Sequence, residues 1–100
     1  MGYTDATLIK INATIDVLGQ LSTEAHGYPN GAVPQPDLVK KIMEQTGRRT
    51  SLAYRLIDIS VQLGLAVRFD GIDPLGDQRL KYVQLTADGI TVYQQRGTNK

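Results

Sequence analysis

The chain has 100 residues, 41% of them hydrophobic and 21% charged, which fits one globular domain of ordinary size and excludes a disordered tail. It has no cysteine, so neither a disulfide framework nor a thiolate metal site is available. No apolar run approaches the ~20 residues that span a bilayer, and the N-terminus lacks a basic stretch followed by an apolar one, so the reading is a cytoplasmic protein. Eleven Lys and Arg against ten Asp and Glu leave a net charge of +1, only a weak global argument for a nucleic-acid partner. A domain this short buries only about two-thirds of its unfolded surface, so it gains from covering more against a partner, and a homodimer is expected.

In chain order, Thr4 or Asp5 is placed to cap a first helix over about 4–24. Its residues Leu8, Ile11, Ile15 and Leu18, spaced by three and four, make one apolar stripe. At 100° per residue, Ile9, Ala13 and Val17 form a second strip apart from the first. A terminal helix on so small a domain rarely has two internal surfaces to cover, so this second strip is assigned to a dimer interface.

The segment from His26 to Pro36, with two Gly and three Pro, reads as a connection with a short extended piece near Ala32 and Val33. Pro36 or Asp37 opens a second helix over about 36–46, through Leu38, Val39, Ile42 and Met43, and Gly47 stops it. After Arg48-Arg49, Thr50 or Ser51 caps a third helix over about 51–63. Its polar positions Ser51, Tyr54, Arg55, Asp58 and Gln62 fall within an arc of about 100°, which predicts a mostly buried helix with one narrow polar edge. Gly64 ends it, strands follow at about 66–69 and 79–85 around a turn-rich tip, and Thr86 caps a last helix over about 87–96 with Ile90 and Tyr93 facing inward.

Two short helices joined by a tight Gly-containing turn and followed by a hairpin give the order of a winged helix-turn-helix. The fold class is therefore mainly α with a small β-hairpin: a single domain over 1–100, with an N-terminal helix in 1–25 and a winged-helix core over 33–89. Charge follows the same map. Between Lys40 and Arg55, five cations stand against Glu44 alone, a local net charge of +4.

The second half of the chain resembles the MarR-type (multiple-antibiotic-resistance regulator) winged-helix repressors. The resemblance lies in Arg55-Leu-Ile-Asp58, Gly64-Leu65, Asp77-Gln-Arg79 and Leu85-Thr86-Ala-Asp-Gly89, a little over half the chain, and the spacing from Asp77 to Gly89 matches without a gap. Ser60 stands where a core leucine is usual, and Ala66 where valine is common. The resemblance implies a recognition helix that contacts bases. It also implies a wing arginine, here Arg79, that reaches the minor groove or phosphates with Asp77 orienting it.

These readings converge on a small transcriptional regulator that binds double-stranded DNA. It would act as a homodimer placing two recognition helices in major grooves about one helical turn apart. Tyr54 and Arg55 are expected at bases or base steps, and Lys41, Arg48, Arg49, Thr50, Ser51 and Arg79 at phosphates. Asp58, three residues after Arg55, is expected to pair with it. The alternative is a winged-helix module that docks onto protein within a larger assembly, motivated by near-neutral total charge and by Asp70, Asp73 and Asp77 around the wing. No enzyme is expected, because there is no nucleophile motif and no carboxylate pair on a common face. No metal or cofactor is expected either: His26 is the lone histidine, in a Gly/Pro loop, and the scattered glycines make no phosphate-binding loop.

Overall fold

The computed structural model describes residues 5–47, 49–73, 75–76 and 78–98. Thr4, Arg48 and Asp77 therefore lie outside the described residues. The elements run α1 (Asp5–His26), β1 (Val33–Pro34), α2 (Gln35–Thr46), α3 (Thr50–Gln62), β2 (Ala66–Ile72), β3 (Arg79–Leu85) and α4 (Ala87–Thr98). This is the mainly helical winged arrangement predicted, with one addition: β1 pairs antiparallel with β3, so the sheet has three strands in the order β1-β3-β2.

The core is built by one stripe from each of the first three helices. Ile11, Ile15 and Leu18 of α1 meet Leu38 and Ile42 of α2 and Leu56 and Ile57 of α3, and Val33, Val83 and Leu85 close it from the sheet. Leu8 begins the predicted α1 stripe but stays half-exposed. The second strip of α1 divides. Ile9 is 67% exposed and Ala13 half-buried, but Val17 is 3% exposed and belongs to the core, which corrects its assignment to a dimer interface. α1 is packed on by α2, α3 and α4, with Tyr93 of α4 lying against Gly19 on the side away from Val17, so that α1 has more than one internal surface after all.

α1 runs two residues further than expected, to His26, and Gly27 (φ 83°) turns the chain, its N–H donating to the Thr23 carbonyl. The following loop is fastened by one fully buried hydroxyl. Ser22 Oγ donates to the Tyr28 carbonyl and accepts from the Gly31 N–H, both at 2.7 Å. His26 is exposed as expected, stacked on Tyr28 and donating through Nε2 to the Ala32 carbonyl.

β2 extends to Ile72, three residues beyond the predicted end, although Asp70 and Gly71 read as turn formers. The ring of Tyr82, on the neighbouring strand, lies over Gly71 where a Cβ would stand, and its hydroxyl donates to the Ile72 carbonyl at 3.3 Å. The missing side chain is thus replaced by a cross-strand aromatic ring. At the other end of the hairpin, Thr86 caps α4: its Oγ1 accepts from the Gly89 N–H at 3.1 Å and donates to the Gly64 carbonyl at 2.6 Å. Gly89 packs so closely on the Leu65 carbonyl that any Cβ there would collide with it.

Candidate nucleic-acid interface

α2 and α3 are joined through Gly47, whose left-handed conformation (φ 65°) lets its N–H donate back to the Met43 carbonyl. α3 then starts on Arg49, not on a hydroxyl residue. Arg49 holds the cap position in an extended conformation, its carbonyl accepts from the Leu52 and Ala53 N–H groups, and no side chain caps the helix. This corrects the expectation that Thr50 or Ser51 is the cap. The Thr50 hydroxyl instead reaches Met43 Sδ at 3.3 Å, tying the start of α3 to the end of α2. The opposite end closes in the pattern expected of Gly64 (φ 76°): its N–H donates to Val61 and that of Leu65 to Ser60.

Between these ends the helix is anchored by its buried side. Ala53, Leu56, Ile57, Ile59 and Ser60 are buried, while Ser51, Tyr54, Arg55 and Gln62 are exposed and Asp58 half-buried, as the 100° projection predicts; Arg49 and Thr50 at the start of the helix are exposed as well. Ser60 is accommodated because its hydroxyl donates to the Leu56 carbonyl one turn back, leaving no unpaired polar atom.

Sequence reasoning gave Asp58 the wrong partner. Its carboxylate lies 2.6 Å from the guanidinium of Arg68 on β2, which also donates to Gln35 Oε1 at 3.3 Å. Arg68 thus joins the first turn of α2, the middle of α3 and the wing. It takes up the one acid on the exposed edge of α3, and Arg55 forms no ion pair among the described residues. No helical spacing could have revealed this contact, because it depends on where β2 crosses α3.

Beside Tyr54 an open groove of about 500 Å³ separates α2 from α3, with an apolar floor of Val39 and Met43. Lys40 and Glu44 rim this groove, whereas Lys41, the lysine favoured from sequence, is half-buried elsewhere on α2. On the wing, Arg79 is exposed at the start of β3. Lys81 pairs with Asp70 at 2.8 Å, and the hydrogen bond and charge of Lys81 hold the Asp70 carboxyl below its ordinary pKa, with a lesser contribution from Arg79. Asp73 turns inward on its own loop and accepts from the Leu75 N–H. Two of the wing's three aspartates are therefore engaged locally; Asp77 and Arg48 lie outside the described residues.

No group of three or more residues able to hold a metal occurs among the described residues, and no described helix is long and apolar enough to cross a membrane.

Comparison with known proteins finds no matching family model and no matching curated protein. Solved structures do match. A single-residue variant of S. aureus MepR superposes with a TM-score of 0.62 at 18% identity, over 96% of this chain and 57% of that one. TA0346 of Thermoplasma acidophilum gives 0.62 at 16% identity, over 92% of this chain and 82% of that one. A MarR-family transcriptional regulator from Rhodococcus sp. RHA1 gives 0.52 at 20% identity, over 93% and 64%. The chain thus spans between about half and four-fifths of the length of these proteins. From α1 through the wing to α4, the fold of this chain is that of the MarR-type winged helix-turn-helix regulators.

Proposed function

We propose that this chain is a transcriptional regulator that binds duplex DNA through the N-terminal half of α3. The observation that carries this reading is the exposed edge formed by Arg49, Thr50, Ser51, Tyr54 and Arg55 on a helix whose other side is buried, with Asp58 taken up by Arg68. A helix about as wide as the major groove can then present Tyr54 and Arg55 to base edges. Its uncapped N-terminus adds main-chain donors and the positive end of the dipole beside Arg49, which suits a phosphate. Thr50 and Ser51 supply hydroxyls for the same backbone, and Arg48, Lys41 and Arg79 are assigned supporting phosphate contacts. Lys40 joins them, because it rims the groove beside Tyr54. The reading includes no enzyme activity.

The same reading includes a homodimer presenting two α3 helices one helical turn apart. What remains of the predicted α1 surface, Ile9 with Ala13, is joined there by half-exposed Leu8 and supports association of a second copy at that end.

A salt titration tests DNA binding directly. Each phosphate neutralised contributes about 0.9 to the slope of log affinity against log salt, so the edge described requires a slope steeper than about two. Arg49→Ala with Arg55→Ala should abolish binding while the circular dichroism spectrum stays unchanged; unaltered binding rejects the reading. The apolar floor of the α2–α3 groove favours a protein ligand instead, and salt-insensitive capture of a protein there would support that alternative.

A further inference from the structure

The sheet ends at β2, whose outer edge carries the main-chain groups not paired with β3. Such edges invite another strand, and proteins commonly blunt them with proline or a bulge. β2 has neither: its seven residues pair one-to-one with β3 from Ala66↔Leu85 to Ile72↔Arg79. It also leaves Val67, Phe69 and Ile72 between 41% and 65% exposed.

The order of residues on this edge is self-complementary. In Ala66-Val-Arg-Phe-Asp-Gly-Ile72, reversing the strand about Phe69 exchanges Arg68 with Asp70. We propose that a second copy of this chain docks edge to edge on β2, antiparallel, with the two-fold axis at Phe69, to make one six-stranded sheet across two protomers. This register sets Arg68 opposite Asp70 of the second copy, twice, and Val67 opposite Gly71, which has no side chain. Sliding by two residues in one direction sets Arg68 against Arg68, and in the other Asp70 against Asp70. Sliding by one residue sends every side chain to the wrong face. The charges thus select a single alignment.

Both faces of the hairpin already carry the groups that would continue across the junction. On one face Phe69 stacks on Tyr82 with ring centroids 5.9 Å apart, so the joined sheet carries four aromatic rings in a row. On the other face the pairs Lys81–Asp70 and Arg68–Asp58 become one line of alternating charge once Asp70 meets Arg68 of the second copy. The contact uses neither α1 nor the exposed edge of α3, and it does not rest on the DNA-binding reading.

Because the chain has no cysteine, single substitutions report the contact without background. Phe69→Cys, oxidised in air as the full chain without DNA, should form a disulfide-linked dimer at least ~tenfold faster than Val67→Cys. Residues paired at a two-fold axis lie within disulfide reach, whereas two copies of residue 67 are roughly 13 Å apart in this register. Equal rates for the two variants, or cross-linking of Ile9→Cys alone, would overturn the proposal. A second measurement avoids oxidation and removal of the aromatic ring. By sedimentation, Asp70→Arg and Arg68→Glu should each lose this contact, and an equimolar mixture should regain it, since every opposed pair is then of opposite charge. A mixture no more associated than either variant alone, both shown to be folded by circular dichroism, also overturns it.

Discussion

Replacing Gly89 by alanine separates two physical effects of opposite sign. Gly89 lies in the first turn of α4, where helix propensity alone makes alanine better than glycine by about 1 kcal/mol. The structure opposes this, because the added Cβ would fall on the Leu65 carbonyl, a main-chain atom that cannot swing away as a flexible side chain could. Overfilling a packed site costs about 1–3 kcal/mol. The shift that relieves it pulls apart the 3.1 Å bond from the Thr86 N–H to that same carbonyl, worth about 1 kcal/mol more. Subtracting the propensity gain leaves a net loss of about 2 kcal/mol, which for a domain of this size lowers Tm by roughly 10 °C. Thermal melting followed by circular dichroism at 222 nm reads the result. A Tm equal to or above that of the parent would mean that propensity wins and that the close approach does not hold α4 in place.

Ser22→Ala should cost about 2 kcal/mol in urea unfolding, because it leaves the buried Gly31 N–H without its acceptor. A double-mutant cycle on Asp58→Ala and Arg68→Ala should give a coupling of about 0.5 kcal/mol that shrinks with salt, since both side chains remain partly exposed. Asp70 titrates below its ordinary value in the folded chain, so the stability its ion pair gives is fully present above that value and lost as the pH falls through the folded pKa. Asp70→Asn should therefore show a shallower decline of stability with acid than the parent below about pH 4; equal declines would show that the Lys81 contact does not persist in solution.

Local patterning made much of this molecule legible. The stripes of α1, α2 and α3, the Gly47 and Gly64 stops and the Thr86 cap all follow from residues within one or two turns of each other, and the structure keeps them. Apart from the cap of α3, which falls on Arg49 one residue before Thr50, the errors have the opposite cause. Val17 is buried because α1 is packed on by three helices that come later in the chain, and Asp58 is paired by a strand whose path no helical spacing encodes. β1 is only two residues long and exists because β3 lies beside it. Gly71 extends a strand despite its propensity because a tyrosine on the neighbouring strand covers it. At the candidate interface, the exposed edge of α3 was visible from sequence. The role of Arg68 was not, although a lone arginine in an otherwise apolar strand segment was the available signal.

The packing of Tyr93 on Gly19 joins positions 74 apart in the chain, and this sets a clock on folding. At about 5–20 residues per second, a ribosome reaches Tyr93 roughly 4–15 s after it has made Gly19. Throughout that interval Gly19 and its neighbours on that side of α1 have no α4 to cover them, however early the helix itself forms. α1 is therefore made seconds before it can be fully enclosed, and for that time this side of it is open to whatever else is present.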